Sequence, residues 1–350
     1  MTEKFITSDK INYYPEAVSA WLHTKHRELI TPITVELHLS NVCNHNCYYC
    51  FAEKQKDLKI MTRNDAFDVI RKLREMKVKG LIFSGGGEPT LSPHFVHVSN
   101  FASINGIKQG LITNGDFKKD LIETIVSNFS WVRFSLDTVI SQNYAKIRGV
   151  SEDRLFVVFD NLKKLVELKK KSKSNVTIGA QTVVTEDNVD DLATTYLALI
   201  EAGVDYYQIR PLENHIYSKK LWNKIQRAIW DLRDISNIKG KNTFLIESGK
   251  WKIINPYSDL KDRGYNECHC YPFIGAISAH GKIYICCHFV GDERFCYGDV
   301  IKDSVEELLR KREVVAKNID LKKCPLACRG NQINIRLEGL KRGCEHQEFL

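Results

Sequence analysis

The sequence predicts an α/β fold: a partial (β/α)6 parallel barrel followed by a small cysteine-rich C-terminal domain. Three observations carry this expectation. Between about residues 33 and 212, six apolar strand-like runs alternate with amphipathic helical patterns, the order that yields parallel strands joined by right-handed crossovers. After Pro211 that alternation stops. The eleven cysteines form two groups, one just behind the first strand-like run and one toward the carboxyl terminus.

Residues 1–32 read as a lead-in with one helical pattern around Glu16–His26. The strand candidates are Ile33–Leu39, Gly80–Ser84, Gln109–Thr113, Val132–Leu136, Val176–Val184 and Tyr206–Ile209. Their β-branched and aromatic residues and short length favour strands over helices. The helical patterns between them are Arg63–Met76, Pro93–Ile104, Lys118–Phe129, Arg154–Lys170 and Val189–Ala202. Together these place the barrel at residues 33–212. Residues 213–262 read as a connecting helix, Ser218–Ile235, and a linker. Residues 263–350 hold short strands, loops and the second cysteine group.

A chain of 350 residues with 43% hydrophobic and 27% charged residues is ordinary for a globular protein. No apolar run reaches the roughly 18–20 residues of a membrane span. Nor does the amino terminus have the layout of a secretory signal, so a cytoplasmic location is expected. The net charge of +8 permits an anionic partner. Much of it is local, however: Lys163, Lys164, Lys169, Lys170, Lys171 and Lys173 crowd one helix end, where cations suit the helix dipole.

Cysteines that ligate cluster in sequence, whereas core cysteines scatter. Cys43, Cys47 and Cys50 form a C-x3-C-x2-C loop behind the first strand, and no cysteine stands between Cys50 and Cys268. Structural zinc usually takes four protein ligands. Three thiolates on one short loop suit a cubane iron–sulfur cluster with one iron left open. A zinc knuckle completed by His45 is the competing assignment. The second strand ends in Ser84-Gly85-Gly86-Gly87-Glu88-Pro89, a turn whose glycines let backbone approach a ligand closely. In parallel α/β barrels such loops at the carboxyl ends of strands carry the site.

With these motifs the chain resembles the radical SAM superfamily, and Tyr49, before the third cysteine, fits that pattern. The resemblance implies a [4Fe-4S] cluster on Cys43, Cys47 and Cys50 that binds S-adenosylmethionine through its open iron. It also implies contacts to that cofactor from Gly85, Gly86, Gly87 and Glu88. Further strand-end candidates are Asn114, Ser135, Asp137 and Arg210, for which turn formation and helix capping are the alternatives.

In the C-terminal region Cys270 and Cys286 bracket a stretch with Gly281 five residues before Cys286, and Cys324-Pro-Leu-Ala-Cys328 follows. This is similar to the SPASM/twitch extension of the superfamily. The later C-x2-C-x5-C-x3-C run of a full SPASM domain is missing, so the resemblance implies one auxiliary [4Fe-4S] cluster. The preferred ligands are Cys270, Cys286, Cys324 and Cys328, with Cys268 and Cys344 as alternatives and a structural zinc as the competitor. Cys287 and Cys296 stay outside this set. Either one would make the enzyme an epimerase if it donated a hydrogen atom to a substrate radical; the plainer reading is a small buried side chain. His280, His288 and His346 lie nearby and read as structural.

The expected function is an oxidoreductase-type radical SAM enzyme. It would cleave S-adenosylmethionine reductively, with electrons from a flavodoxin or ferredoxin, and abstract a substrate hydrogen. A small polar metabolite (a sugar, an aminocyclitol or a nucleotide-linked form) is the first expectation. Peptide or protein modification comes second, nucleic-acid modification third, and a non-enzymatic iron–sulfur scaffold last. Substrate identity has no signature in the sequence, because the loops that read it carry no unique chemistry.

Overall fold

The computed structural model describes residues 8–23, 27–50, 52, 57–212, 215–240, 245–247, 251, 255–257, 263–325, 328 and 330–343. Cys344 and His346 lie outside them. All six expected barrel strands are present: β1 (Thr34–His38), β2 (Gly80–Ser84), β3 (Lys108–Thr113), β4 (Phe129–Ser135), β5 (Thr177–Val184) and β6 (Tyr206–Pro211). They pair in sequence order and in parallel, so all their carboxyl ends lie along one edge. The sheet does not close. β7 (Leu245–Glu247) extends it beyond β6 in parallel. On the other side β8 (Ile274–Ile277) pairs parallel to β1, and β9 (Lys282–Tyr284) and β10 (Cys296–Asp299) follow antiparallel. The C-terminal hairpin is therefore bonded directly to the strand that precedes the cysteine triplet.

The connecting helices follow their signals. α2 (Arg63–Glu75) starts at Thr62, whose hydroxyl accepts the Asp65 amide at 3.2 Å. α6 (Arg154–Ser172) buries Leu155, Val158, Leu162, Leu165 and Val166, the i, i+3, i+4 stripe of an amphipathic helix. α3 (Phe95–Ile104), α4 (Leu121–Asn128) and α7 (Leu192–Ala202) complete the crossovers. Val35 and Leu37 join these helices in one core with Phe83, Phe95 and Phe129, whose rings lie within 5.7 Å of one another.

The opposite face of the strands is polar. Glu36 accepts from Ser84 at 2.7 Å, and Gln208 accepts from Gln181 at 2.8 Å and Arg133 at 3.4 Å. Toward the amino-terminal end this face is filled by aromatic rings over glycines. A Cβ on Gly110 would lie 2.3 Å from Trp131, and one on Gly179 would lie 2.1 Å from the Tyr206 ring.

Three helices lie outside the sequence reading. α5 (Ser141–Arg148) has a low-amphipathicity, polar sequence and ends at Gly149 in the left-handed region, φ 61°. α9 (Val305–Ala316) and α10 (Asn331–Arg342) stand where loops were expected. α9 carries Arg312, fully buried, which donates to the carbonyls of Arg27 at 2.7 Å and Ile30 at 2.8 Å and so ties the lead-in to the C-terminal region. The lead-in helix α1 (Pro15–His23) and the long α8 (Lys219–Ile238) match expectation. The lysine cluster on α6 is engaged locally: Lys164 pairs with Asp160 and Lys169 with Asp205.

Candidate active site

The loop carrying Cys43, Cys47 and Cys50 leaves the carboxyl end of β1 and is gripped from two sides. On one side is the glycine turn after β2. Gly87 N–H donates to Ser40 O at 2.8 Å and Glu88 N–H to Val42 O at 2.9 Å. On the other is the carboxyl end of α5, whose Arg148 carbonyl accepts Asn46 N–H at 2.8 Å and whose Ile147 carbonyl accepts Tyr48 N–H at 3.3 Å. The last turns of a helix leave carbonyls without internal partners, and here the cysteine loop supplies the donors.

Donors also face the sulfurs. His45 N–H and Asn114 Nδ2 lie 3.5 and 3.9 Å from Cys43 Sγ, and Arg148 Nη1 lies 3.6 Å from Cys47 Sγ. Burial pushes the Cys43 thiol up to about 11, and Glu88, Cys47 and Cys50 nearby add to this. Three thiols drawn together on one loop, with donors aimed at two of them, fit a group that holds sulfurs as thiolates. His45 is not among the converging groups. Its ring is buried beside Tyr144, with Nε2 3.4 Å from Asp116, which removes the basis for the zinc-knuckle alternative.

The other strand-end candidates divide by burial. Glu88 turns its carboxylate inward. It accepts from Thr90 N–H and Oγ1, Thr113 Oγ1 at 2.7 Å and Asn114 N–H at 2.7 Å, so it locks the β2 and β3 loops together. Asn114 Nδ2 bonds Asn44 Oδ1 at 2.8 Å and thereby braces the cysteine loop. Asp137 is fully buried, pairing with Arg148 at 2.7 Å and accepting from Tyr49 Oη at 2.6 Å and Val183 N–H at 3.1 Å. The Ser135 carbonyl accepts Arg148 Nη2 at 2.7 Å. Arg210, at the end of β6, is half-buried, and its Nε has no hydrogen-bond partner among the described residues. Gly85 and Gly86 are half-buried at the mouth. Beside Tyr48, a cavity of about 250 Å³ opens against Thr185, Asp187 and Tyr217.

The second cysteine group converges near the start of β8. Cys268 Sγ and Cys270 Sγ are 3.7 Å apart. Cys286 and Cys324 both lie within electrostatic reach of Cys268 and Cys328, and Cys270 within that of Cys268, Cys286 and Cys328. Burial pushes Cys324 up to about 12 and also raises Cys286 well above the ordinary thiol range; hydrogen bonding from Cys270 holds Cys268 below that range. Cys270, Cys286, Cys324 and Cys328 of the preferred set thus share one region with Cys268, although among the described residues no three of them stand close enough to hold a metal ion. Arg263 orders this loop by donating to the carbonyls of Leu321, Cys324 and Pro325 at 2.6–2.9 Å, and Asn334 accepts the amides of His269 and Cys270. Cys287 and Cys296 pack against Ala276, Tyr284 and Val290, although Cys287 also lies within electrostatic reach of its chain neighbour Cys286. His280 is paired with Asp57 at 2.5 Å.

Residues 37–209 match the family model described as the radical SAM superfamily. The chain belongs to the radical SAM superfamily. The match begins within β1 and ends within β6, so it covers β2 to β5 and the loops that follow β1 to β5, and it stops just before Arg210. Members of this superfamily use a [4Fe–4S] cluster and S-adenosylmethionine, and the Cys43, Cys47 and Cys50 loop has the donor set for that cluster. An S-adenosylmethionine-dependent nucleotide dehydratase from Selenomonas ruminantium is 27% identical over 165 residues, 45% of this chain and 58% of that protein. A probable GTP 3′,8-cyclase from Pyrococcus abyssi is 27% identical over 203 residues, 52% of this chain and 65% of that one. The chain therefore matches only about half to two thirds of these relatives' lengths. Among solved structures, Streptococcus suis SuiB bound to the precursor peptide SuiA shares the fold with a TM-score of 0.65 and 17% identity, over 85% of this chain and 69% of that one. That overlap reaches past the radical SAM core into the cysteine-rich C-terminal region.

Several residues of the site had no mark in the sequence. Arg148, Asn44, Asp116 and Arg263 act through partners that are distant along the chain. Gly149 carried a readable signal, a glycine ending a helix. A Cβ there would lie 2.4 Å from the Asn46 carbonyl oxygen, so the same glycine that caps α5 also admits the cysteine loop.

Proposed function

We propose that this chain is a radical SAM enzyme that acts on a small polar metabolite, with a nucleotide or nucleotide-linked compound first among the candidates. The observation that carries the reading is the polar inner face of the sheet below the cysteine loop. Glu36, Ser84, Arg133, Gln181 and Gln208 line it, where a barrel without a ligand would stack apolar side chains. The two relatives above, a nucleotide dehydratase and a probable GTP cyclase, favour the nucleotide class.

When bound at the triplet, S-adenosylmethionine and its cluster supply a 5′-deoxyadenosyl radical, with one electron drawn from a flavodoxin or ferredoxin. The chain's own residues bind and orient. Gly85 and Gly86 leave the mouth of the glycine turn open to the cofactor's methionyl end. Arg210 offers a half-buried cation at the opposite rim. Tyr49, braced by Asp137, fixes the last turn of the cysteine loop. That radical would take a hydrogen atom from a substrate held against the polar inner face of the sheet. An auxiliary cluster on four of Cys268, Cys270, Cys286, Cys324 and Cys328 would take the second electron if the outcome is oxidation. Cys287 and Cys296, packed apart, are assigned no step.

The test is 5′-deoxyadenosine formation by anaerobically reconstituted, reduced protein given S-adenosylmethionine with either nucleotides, a small-molecule extract or a macromolecular extract. Stimulation by nucleotides or by the small-molecule fraction is expected. Stimulation by the macromolecular fraction alone would replace this reading with peptide or nucleic-acid modification. No helix among the described residues is long and apolar enough to cross a membrane, and we place the reaction in the cytoplasm.

A further inference from the structure

Arg148 has the most unusual surroundings of any charged side chain near the cysteine loop. It is only 4% exposed, and its guanidinium meets three acceptors. Nη1 faces Cys47 Sγ at 3.6 Å, and Nη2 faces both the Ser135 carbonyl and Asp137 Oδ2 at 2.7 Å. The ring of Tyr49 lies 5.9 Å away. Asp137 Oδ2 also accepts from Tyr49 Oη at 2.6 Å, and its Oδ1 accepts Val183 N–H at 3.1 Å. The result is a buried pair, neutral overall, whose positive end points at a cysteine sulfur and whose negative end is held by the sheet.

From this arrangement we infer that Arg148 is a positioning residue that sets the reduction potential of the cluster bound through Cys47. The inference rests on the reading of Cys47 as a cluster ligand. A cation donating to a ligand sulfur withdraws charge from it and favours the reduced, more negative cluster. Arg148 and Asp137 are buried and Cys47 is half-buried, so that interaction is screened by water only on its sulfur side. Ser135 and Asp137, both at the end of β4, fix the guanidinium so that it does not follow the sulfur. Asp137 limits the effect, and the balance between the two residues sets its size. Asn114, 3.9 Å from Cys43, is a neutral and more distant donor, so Arg148 dominates.

Two substitutions move the potential in opposite directions, a pattern that general damage to the site does not produce. Arg148→Met lowers it and Asp137→Asn raises it. The measurement is an EPR-monitored redox titration of the full, reconstituted chain, following the signal that S-adenosylmethionine perturbs. At a fixed poise Arg148→Met is expected to reduce the ratio of reduced to oxidised cluster about tenfold, about 59 mV for a one-electron couple. Arg148→Lys, which keeps the charge, recovers part of the loss. A lone buried carboxylate in Arg148→Met threatens folding, so the charge-matched double variant Asp137→Asn/Arg148→Gln is measured beside it, with thermal unfolding as the control. Its potential is expected below that of the wild type. A folded double variant with wild-type potential would overturn the assignment and leave Arg148 a structural role alone. Persistence of the S-adenosylmethionine-sensitive signal in Cys47→Ala would instead refute the ligand reading.

Discussion

Gly87 lies against Val42 so closely that a Cβ on the glycine would sit 2.1 Å from the Val42 carbonyl oxygen. The contact involves backbone on both sides, so no side chain can swing away to make room. This glycine is where the turn after β2 is fastened to the cysteine loop. Gly87→Ala must push that loop outward, at a cost of about 1–3 kcal/mol from overpacking. The expected outcome is a lower thermal midpoint, together with reduced iron retention at the triplet. Unchanged iron content and stability would show that the loop yields freely.

The cysteine triplet and the C-terminal group have separable roles in the proposed reaction. Cys43→Ala, Cys47→Ala and Cys50→Ala are each expected to abolish 5′-deoxyadenosine formation. Cys270→Ala is expected to retain some uncoupled cleavage while product formation stops. Full S-adenosylmethionine cleavage by Cys47→Ala would contradict the central assignment.

Cys286 and Cys328 come from different segments yet both lie within electrostatic reach of Cys270. Replacing either by alanine is expected to lower the iron content of the anaerobically reconstituted protein from about eight to about four per chain. The same assay on Cys268→Ala decides whether that thiol serves in the auxiliary set. Cys287→Ala and Cys296→Ala are expected to leave the iron content unchanged, since both side chains pack against Ala276, Tyr284 and Val290.

Asp116 gives the site an acid limit. Burial raises its carboxyl, but hydrogen bonds from His45 and Arg154, the latter at 2.8 Å from Nε, outweigh burial and hold it below the usual value of 3.8. A carboxyl lowered on folding contributes stability that is present above its unfolded value and is lost as pH falls through its folded value. In the wild type this loss therefore begins below pH 3.8. Arg154→Ala removes one of the two outweighing partners, so the folded value shifts up toward 3.8 and the stability lost on acidification shrinks, leaving the variant less stable at neutral pH by an amount that narrows in acid. Urea midpoints compared at neutral and acidic pH would reveal the shift; parallel acid profiles would rule it out.

Much of this architecture was legible along the chain, and the reasons are local. Each barrel strand is a short β-branched run between turn residues, and each crossover helix has its own apolar stripe, so their existence does not depend on distant partners. The polar sequence of α5 has no such stripe. α9 and α10 bury polar side chains (Arg312 on one, Asn331, Asn334 and Glu338 on the other) beside their leucines, and they were obscured by the cysteines around them. Those helices are held by contacts such as Arg312 on the lead-in carbonyls, between residues far apart in sequence.

The same division runs through the site. The sequence by itself determined the C-x3-C-x2-C loop, the glycine turn that follows the second strand, and the two separate cysteine groups, because ligand spacing and backbone freedom are properties of neighbouring residues. Only the tertiary structure decided that Glu88 faces inward onto Thr113 and Asn114, that His45 belongs to Asp116, and that Cys268 stands beside Cys270. It also decided that a buried arginine on α5 points at Cys47. Charges find their partners through space, and which of them meet in a dry interior is set by how helices and strands pack, not by their order along the chain.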